Sequence, residues 1–268
     1  MAKYKKKRAR ELQQDRFRDT AMTFFDRLGD RLEGRGRTIL YGLGAFIIAA
    51  VLVVAFVKWR NRKADEAQQA LGRAISITST AVPTNPVTGT TEPTFGSEKD
   101  RAQRAIDEFE KVAAKYGDPY RSESRYFIAV NRLVIDRPKA MSELAELSNS
   151  KVEEVAALSK FALAQANESD GKLDEAAKLY SELAKLNSPT ITHEIANLRL
   201  AKVYEKQGKK KEAADLLFNI VDASRKAKGP DNLPLPTSSA AREAGDELKK
   251  LDPDRYAQLP AENPLLAG

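Results

Sequence analysis

The sequence predicts an all-α protein: an N-terminal transmembrane helix followed by an α-solenoid of paired helices. Three observations carry this. Nineteen uncharged residues run from Ile39 to Val57, close to the about 20 residues that a helix needs to cross a hydrocarbon core of roughly 30 Å. From Ser97 onward apolar residues recur at helical spacing with almost no β-branched runs, broken by short turns at Gly117, Asp170-Gly171 and Gln207-Gly208. Small and large residues also pair at matched positions of successive helices, with a period of about 35 residues.

Residues 1–37 form a basic tail with twelve Lys/Arg against six acids, six of the cations lying between Lys3 and Arg10. Within it Phe17, Ala21, Phe24, Phe25, Leu28 and Leu32 alternate at helical spacing with Arg16, Arg18, Arg27 and Arg31. This is the pattern of an amphipathic helix lying in a membrane interface with its apolar face down. Anionic lipid and the membrane potential both oppose export of Lys and Arg, so the tail is expected in the cytoplasm and the remainder outside. The immediate flanks do not discriminate, since each holds five Lys/Arg. The larger total on the tail decides the orientation, because long domains translocate largely regardless of charge.

The span is expected over 38–58 as an uncleaved anchor. A signal peptide would need a far shorter basic region than 37 residues, and the apolar stretch ends in Val57-Lys58-Trp59-Arg60 rather than a small-x-small site. Residues 64–79 continue as helix with no breaker after the span. Pro83, Pro86 and Pro93 then mark a Pro/Thr-rich loop over 80–96, because proline cannot donate a backbone hydrogen bond and no apolar period survives there. Helices follow over 97–116, 120–135, 138–148, 151–169, 173–187, 190–207, 209–227 and 237–251. The last belongs to a Pro-rich extension over 229–268 and is expected to cap the array.

Charge divides with the anchor. Residues 64–268 hold 29 Lys/Arg against 32 Asp/Glu, so the basic pI of about 9.4 is a property of the first 63 residues. A nucleic-acid partner needs a basic stripe on the folded domain and is not expected. Cysteine is absent, so an exported domain must be held by its core rather than by disulfides.

The helix pairs share a register. The second helices carry Ala105/Phe109, Met141/Leu144, Ala176/Tyr180 and Ala213/Leu217, spaced 36, 35 and 37 residues apart, and the first helices carry Ala129, Ala164 and Ala201 twelve positions upstream. A small residue is required where two helices approach closely. The period predicts about four degenerate tetratricopeptide repeats, normally about 34 residues each, over 59–228.

With that repeat domain behind a basic tail and a single span, the chain resembles the ancillary SecYEG translocon subunit family (YfgM-like). The residues that carry the resemblance are Phe24-Phe25, the exit at Trp59 into the Ala-rich helix 64–74, and Ile195-Ala-Asn-Leu-Arg-Leu-Ala-Lys-Val203. It covers roughly 17–225; the longer tail, the 80–96 loop and the extension after Gly229 depart from it. The resemblance implies a single-pass protein of the bacterial inner membrane with a periplasmic repeat domain. It further implies association with the Sec translocon and a membrane-anchored prolyl isomerase, and a part in handling exported proteins.

No enzyme chemistry is expected. One histidine and no cysteine leave zinc without a ligand set. His193 stands at a helix start beside Glu194, a capping or surface position. Gly89 to Ser97 has six residues between its glycines and no following Lys, so it lacks both the cradle and the counter-charge of a phosphate loop. Gly42 and Gly44 lie inside the span, and Glu153/Glu154 and Asp174/Glu175 suit the positive ends of helix dipoles. No cofactor or small-molecule substrate is therefore expected, and the work of the chain falls to surface. The register puts Glu123, Tyr126 and Val130, then Leu158, Phe161 and Gln165, then Ile195, Leu198 and Lys202 on the concave face lined by first helices. Of these, Tyr126, Val130, Phe161, Gln165, Leu198 and Lys202 are the candidate protein-binding residues, with Tyr126, Phe161 and Leu198 suited to an apolar segment of a client. The alternatives are that these residues pack between helices or lie under helix 237–251. A scaffold of another inner-membrane complex or of the division machinery is the competing function.

Overall fold

The computed structural model describes residues 36–82, 95–186 and 188–261. The amphipathic helix expected in the tail and most of the 80–96 loop lie outside the described residues. Among the described residues every regular element is a helix. They are α1 (Gly36–Ser79), α2 (Glu98–Lys115), α3 (Tyr120–Arg132), α4 (Arg137–Leu147), α5 (Glu153–Ser169), α6 (Leu173–Leu183), α7 (His193–Lys206), α8 (Lys210–Lys226), α9 (Ser239–Leu251) and α10 (Pro253–Tyr256). The chain divides into two compact units, Met1–Asp65 and Glu66–Gly268, so the second begins within α1, seven residues beyond the boundary expected after residue 58.

In the first unit α1 is long and apolar enough to cross a membrane, with a mean hydropathy of 2.3 over its most apolar stretch. Its large side chains have no protein cover: Phe46 is 71% exposed, Ile48 63% and Val51 61%. Tyr41 and Trp59 bracket this stretch eighteen residues apart, about 27 Å along a helix axis, at the separation that suits aromatic side chains at two headgroup layers. Trp59 packs near Phe56 at 6.1 Å between ring centroids, and the Lys63 ammonium lies 5.3 Å from the Trp59 ring.

In the second unit each helix packs chiefly on its neighbours in sequence, and α3 also touches α5 as α7 touches α9. Residues 66–79 of α1 supply Ala67, Leu71 and Ala74 to a core cluster with Ala105, Ile106, Phe109 and Val112 of α2. The α2 residues recur at i, i+1, i+4 and i+7, the stripe that an amphipathic helix buries. Phe109 stacks on Phe127 of α3 with ring centroids 4.9 Å apart.

Helix starts follow local chemistry. Ser97, Asp136, Thr192 and Ser238 each accept a hydrogen bond from the backbone N–H three residues on, satisfying a donor that the first turn leaves without a partner. The stops of α5 and α7 match one another. Gly171 (φ 73°) and Gly208 (φ 76°) adopt the left-handed conformation, and the N–H groups of Lys172 and Lys209 reach back to the carbonyls of Asn167 and Tyr204 at 2.9 Å in both turns. A Cβ would strain either turn, so glycine is the residue that lets the chain reverse there.

Burial follows the small–large register with one correction. Ala105/Phe109, Ala176/Tyr180 and Ala213/Leu217 are each 0 to 2% exposed, as are Ala129, Ala164 and Ala201. In α4 the buried partner of Leu144 is Ala140 rather than Met141. An i, i+4 pair lies on one helix face, and Met141 is rotated off it. The four small residues are then 35, 36 and 37 positions apart. Leu in place of Ala164 would drive three extra carbons between α5 and α6. Ala164→Leu is expected to lower stability by about 1–3 kcal/mol, read as a lower urea midpoint.

Polar ties join successive hairpins. Arg137 donates to Asp170 and to the Ala166 carbonyl at 2.8 and 2.9 Å, Lys206 pairs with Glu168 at 2.6 Å, and Gln207 donates to Asp174 at 2.8 Å. After α8 the chain closes a small loop in which Gly229 N–H donates to Leu233 O at 2.9 Å and Leu235 N–H to Ala227 O at 3.1 Å. Then α9 lays Ala240, Ala241, Ala244 and Leu248 against Leu217 and Val221 of α8 and Leu198 and Ala201 of α7.

Candidate protein-interaction face

The nominated face begins on α3. Tyr126 and Val130 are half-buried and pack on the cluster of Ala129, Leu144, Leu147 and Val155. Burial pushes the Tyr126 phenol above its ordinary range. On α5, Phe161 meets Tyr180 edge to face at 5.8 Å between centroids, while Gln165 is exposed. Tyr180 itself is fully buried and donates from its hydroxyl to Glu168 at 3.1 Å. Burial raises this phenol's pKa, and the Glu168 charge adds to the effect.

On α7 the side chains turn inward. Leu198 is 4% exposed, in the cluster that α9 covers, and the Lys202 ammonium is bonded to Glu243 of α9. That hydrogen bond holds the Glu243 carboxyl below its ordinary range. Tyr126, Phe161 and Leu198 thus lie in or against three separate clusters; Tyr126 and Phe161 keep part of their surface open, Leu198 does not, and Gln165 is the most open member of the face. His193 is the exposed first residue of α7, behind the Thr192 cap. Among the described residues no group of His, Asp and Glu converges as a metal site would require.

A cleft absent from the sequence reading opens beside this face. It has a volume of about 610 Å³ and is lined by Ser150, Glu153, Glu154, Ala156 and Ala157 from the start of α5 and by Leu186, Ser188 and Pro189 from the α6–α7 connection. Leu186 is 41% exposed there. Glu154 accepts a hydrogen bond from the Thr190 hydroxyl, which ties the α6–α7 connection to α5. The only sequence hints are the paired acids and an apolar residue left over before Pro189; nothing in their spacing joins them.

Burial, reinforced by the Glu154 charge, pushes the Glu123 carboxyl above its ordinary range. In that range the folded chain holds a proton that the unfolded chain has released. The resulting stability is complete below the unfolded pKa and disappears as pH rises through the folded one. Glu123→Gln is therefore expected to raise the thermal midpoint at pH 7 and to leave it near wild type at about pH 3.5, where both states are protonated. Equal midpoints at both pH values would show that neither burial nor the Glu154 charge penalises the Glu123 carboxylate.

Comparison with family models, with curated proteins and with solved structures finds no match for this chain.

Proposed function

We propose that the chain is a single-pass protein of the bacterial inner membrane whose helical unit faces the periplasm and serves as a tetratricopeptide-like adaptor for protein partners. In this reading it is an ancillary component of the translocon and of the chaperone network that receives exported proteins. The observation that carries the reading is one chain holding both an exposed apolar helix of spanning length and helix pairs whose buried small residues recur at 35 to 37 positions. Stacked pairs of this kind bury a continuous core and leave their edges for recognition. The basic tail supports a cytoplasmic N-terminus. The sequence resemblance is what suggests the translocon and a membrane-anchored prolyl isomerase as partners.

Two measurements test this. Protease added to spheroplasts is expected to degrade residues 64–268 while the tail survives; protection until the inner membrane is broken would reverse the orientation. A photocrosslinker at the exposed Gln165 is expected to capture translocon or periplasmic chaperone components in intact membranes. Capture of division proteins or of another membrane assembly instead would make the chain a scaffold there.

A further inference from the structure

We propose that the pocket between α1 and α2 binds a phosphate group, with Arg73 and Lys115 as its principal ligands and Lys111 at its rim. One stripe of α1, Ala70 and Arg73, faces one stripe of α2, Glu108, Lys111, Val112 and Lys115, and Tyr116 closes the end. Val112 and Tyr116 are buried and form an apolar floor, and the cationic groups stand above it. The pocket holds about 200 Å³, below the roughly 300–1,000 Å³ of sites that take drug-sized ligands, so a small anion or a headgroup is what fits.

Charge gives the chemistry. Glu108 is the one acid in the wall, and it is shared between Lys111 at 2.7 Å and Arg104 at 3.0 Å. Among the described residues the exposed Arg73 and Lys115 form no ion pair across the same opening, although the Glu66 charge also reaches Lys115. The Lys115 ammonium sits 5.0 Å from the Tyr116 ring, and its pKa is raised, chiefly by Tyr116 beside it and with help from the Glu66 charge, against a smaller opposition from Arg73. Lys115 lies in the last turn of α2, where the helix dipole favours a cation; no such effect accounts for Arg73, six residues inside the end of α1. An anion between the two would face both positive charges across the pocket of about 200 Å³. A phosphate presents several oxygens at once to the guanidinium fork and to the ammonium, which suits it better than chloride. The phosphate can come from solution or from a lipid headgroup.

The test uses the full chain in neutral maltoside micelles at constant ionic strength, titrated by calorimetry with inorganic phosphate and, separately, with dihexanoyl-phosphatidylglycerol below its micelle concentration. Saturable binding is expected, weakened roughly ten-fold or more by Arg73→Gln combined with Lys115→Gln. It should be unchanged by Lys139→Gln combined with Lys172→Gln, at two exposed lysines elsewhere on the unit. Equal affinity for both probes identifies free phosphate as the ligand; markedly tighter binding of the lipid identifies a headgroup whose chains add apolar contact. Absence of saturable binding to either probe, or equal loss in the two double variants, overturns the proposal. Helical circular dichroism of each variant confirms that a loss is not unfolding.

Discussion

Tyr180→Ala is expected to destabilise the helical unit by about 3–5 kcal/mol, the range for deleting a buried aromatic side chain and leaving its cavity. Tyr180 is 0% exposed, packs with Ala164, Ala176 and Leu183, and supports the edge of Phe161. No neighbour can fill the space without leaving its own contacts. Tyr180→Phe keeps the ring and removes only the hydrogen bond to Glu168, which retains its pair with Lys206, so it is expected to cost only about 0.5–1.5 kcal/mol. Urea unfolding of the full chain in micelles, followed by circular dichroism, separates the two. Equal midpoints for Tyr180→Ala and Tyr180→Phe would mean that the ring does not hold α5 to α6.

Leu198→Ser carries the second large effect, about 2–5 kcal/mol for the lost side chain and cavity, with the burial of a hydroxyl adding to it. The residue sits under α9 with Ala201, Leu217 and Leu248 around it. The expected result is a lower unfolding midpoint, with any loss of partner binding following from it. Gln165→Ser, on the same face and exposed, is expected to leave the midpoint within about 0.5 kcal/mol of wild type. A Leu198→Ser chain as stable as wild type would return Leu198 to the accessible face.

The helices were legible because their signals are local. Periodicity, Ser and Thr caps, and the glycines at 171 and 208 act within a turn or two of where they stand, and each expected helix after residue 97 has its counterpart in α2 to α9. The slip at Met141 has the same origin. Ala140 and Met141 are adjacent, Met is the larger apolar residue, and only the facing helices reveal which of the two points inward. Leu198 was harder. Its position on α7 fits both an open groove and a covered seam, and α9, some forty residues later and beyond a Pro-rich loop, supplies the cover. The cleft at Glu153 and Pro189 and the cationic pocket at Arg73 and Lys115 each join segments more than thirty residues apart, and no short motif spans such a distance.

Neighbour-on-neighbour packing has a consequence for how the molecule comes to be folded. Contacts that are close in sequence need little loop closure before they form, and low contact order goes with fast folding. As the chain emerges from its N-terminus, residues 66–79 wait only for α2 and α3, and each later helix finds its neighbour already present. The flank of α7 and α8 is different, because it remains uncovered until Ala240, Ala241, Ala244 and Leu248 arrive. A chain that stops before α9 would therefore leave this apolar flank of α7 and α8 open, and closing it is the work of α9.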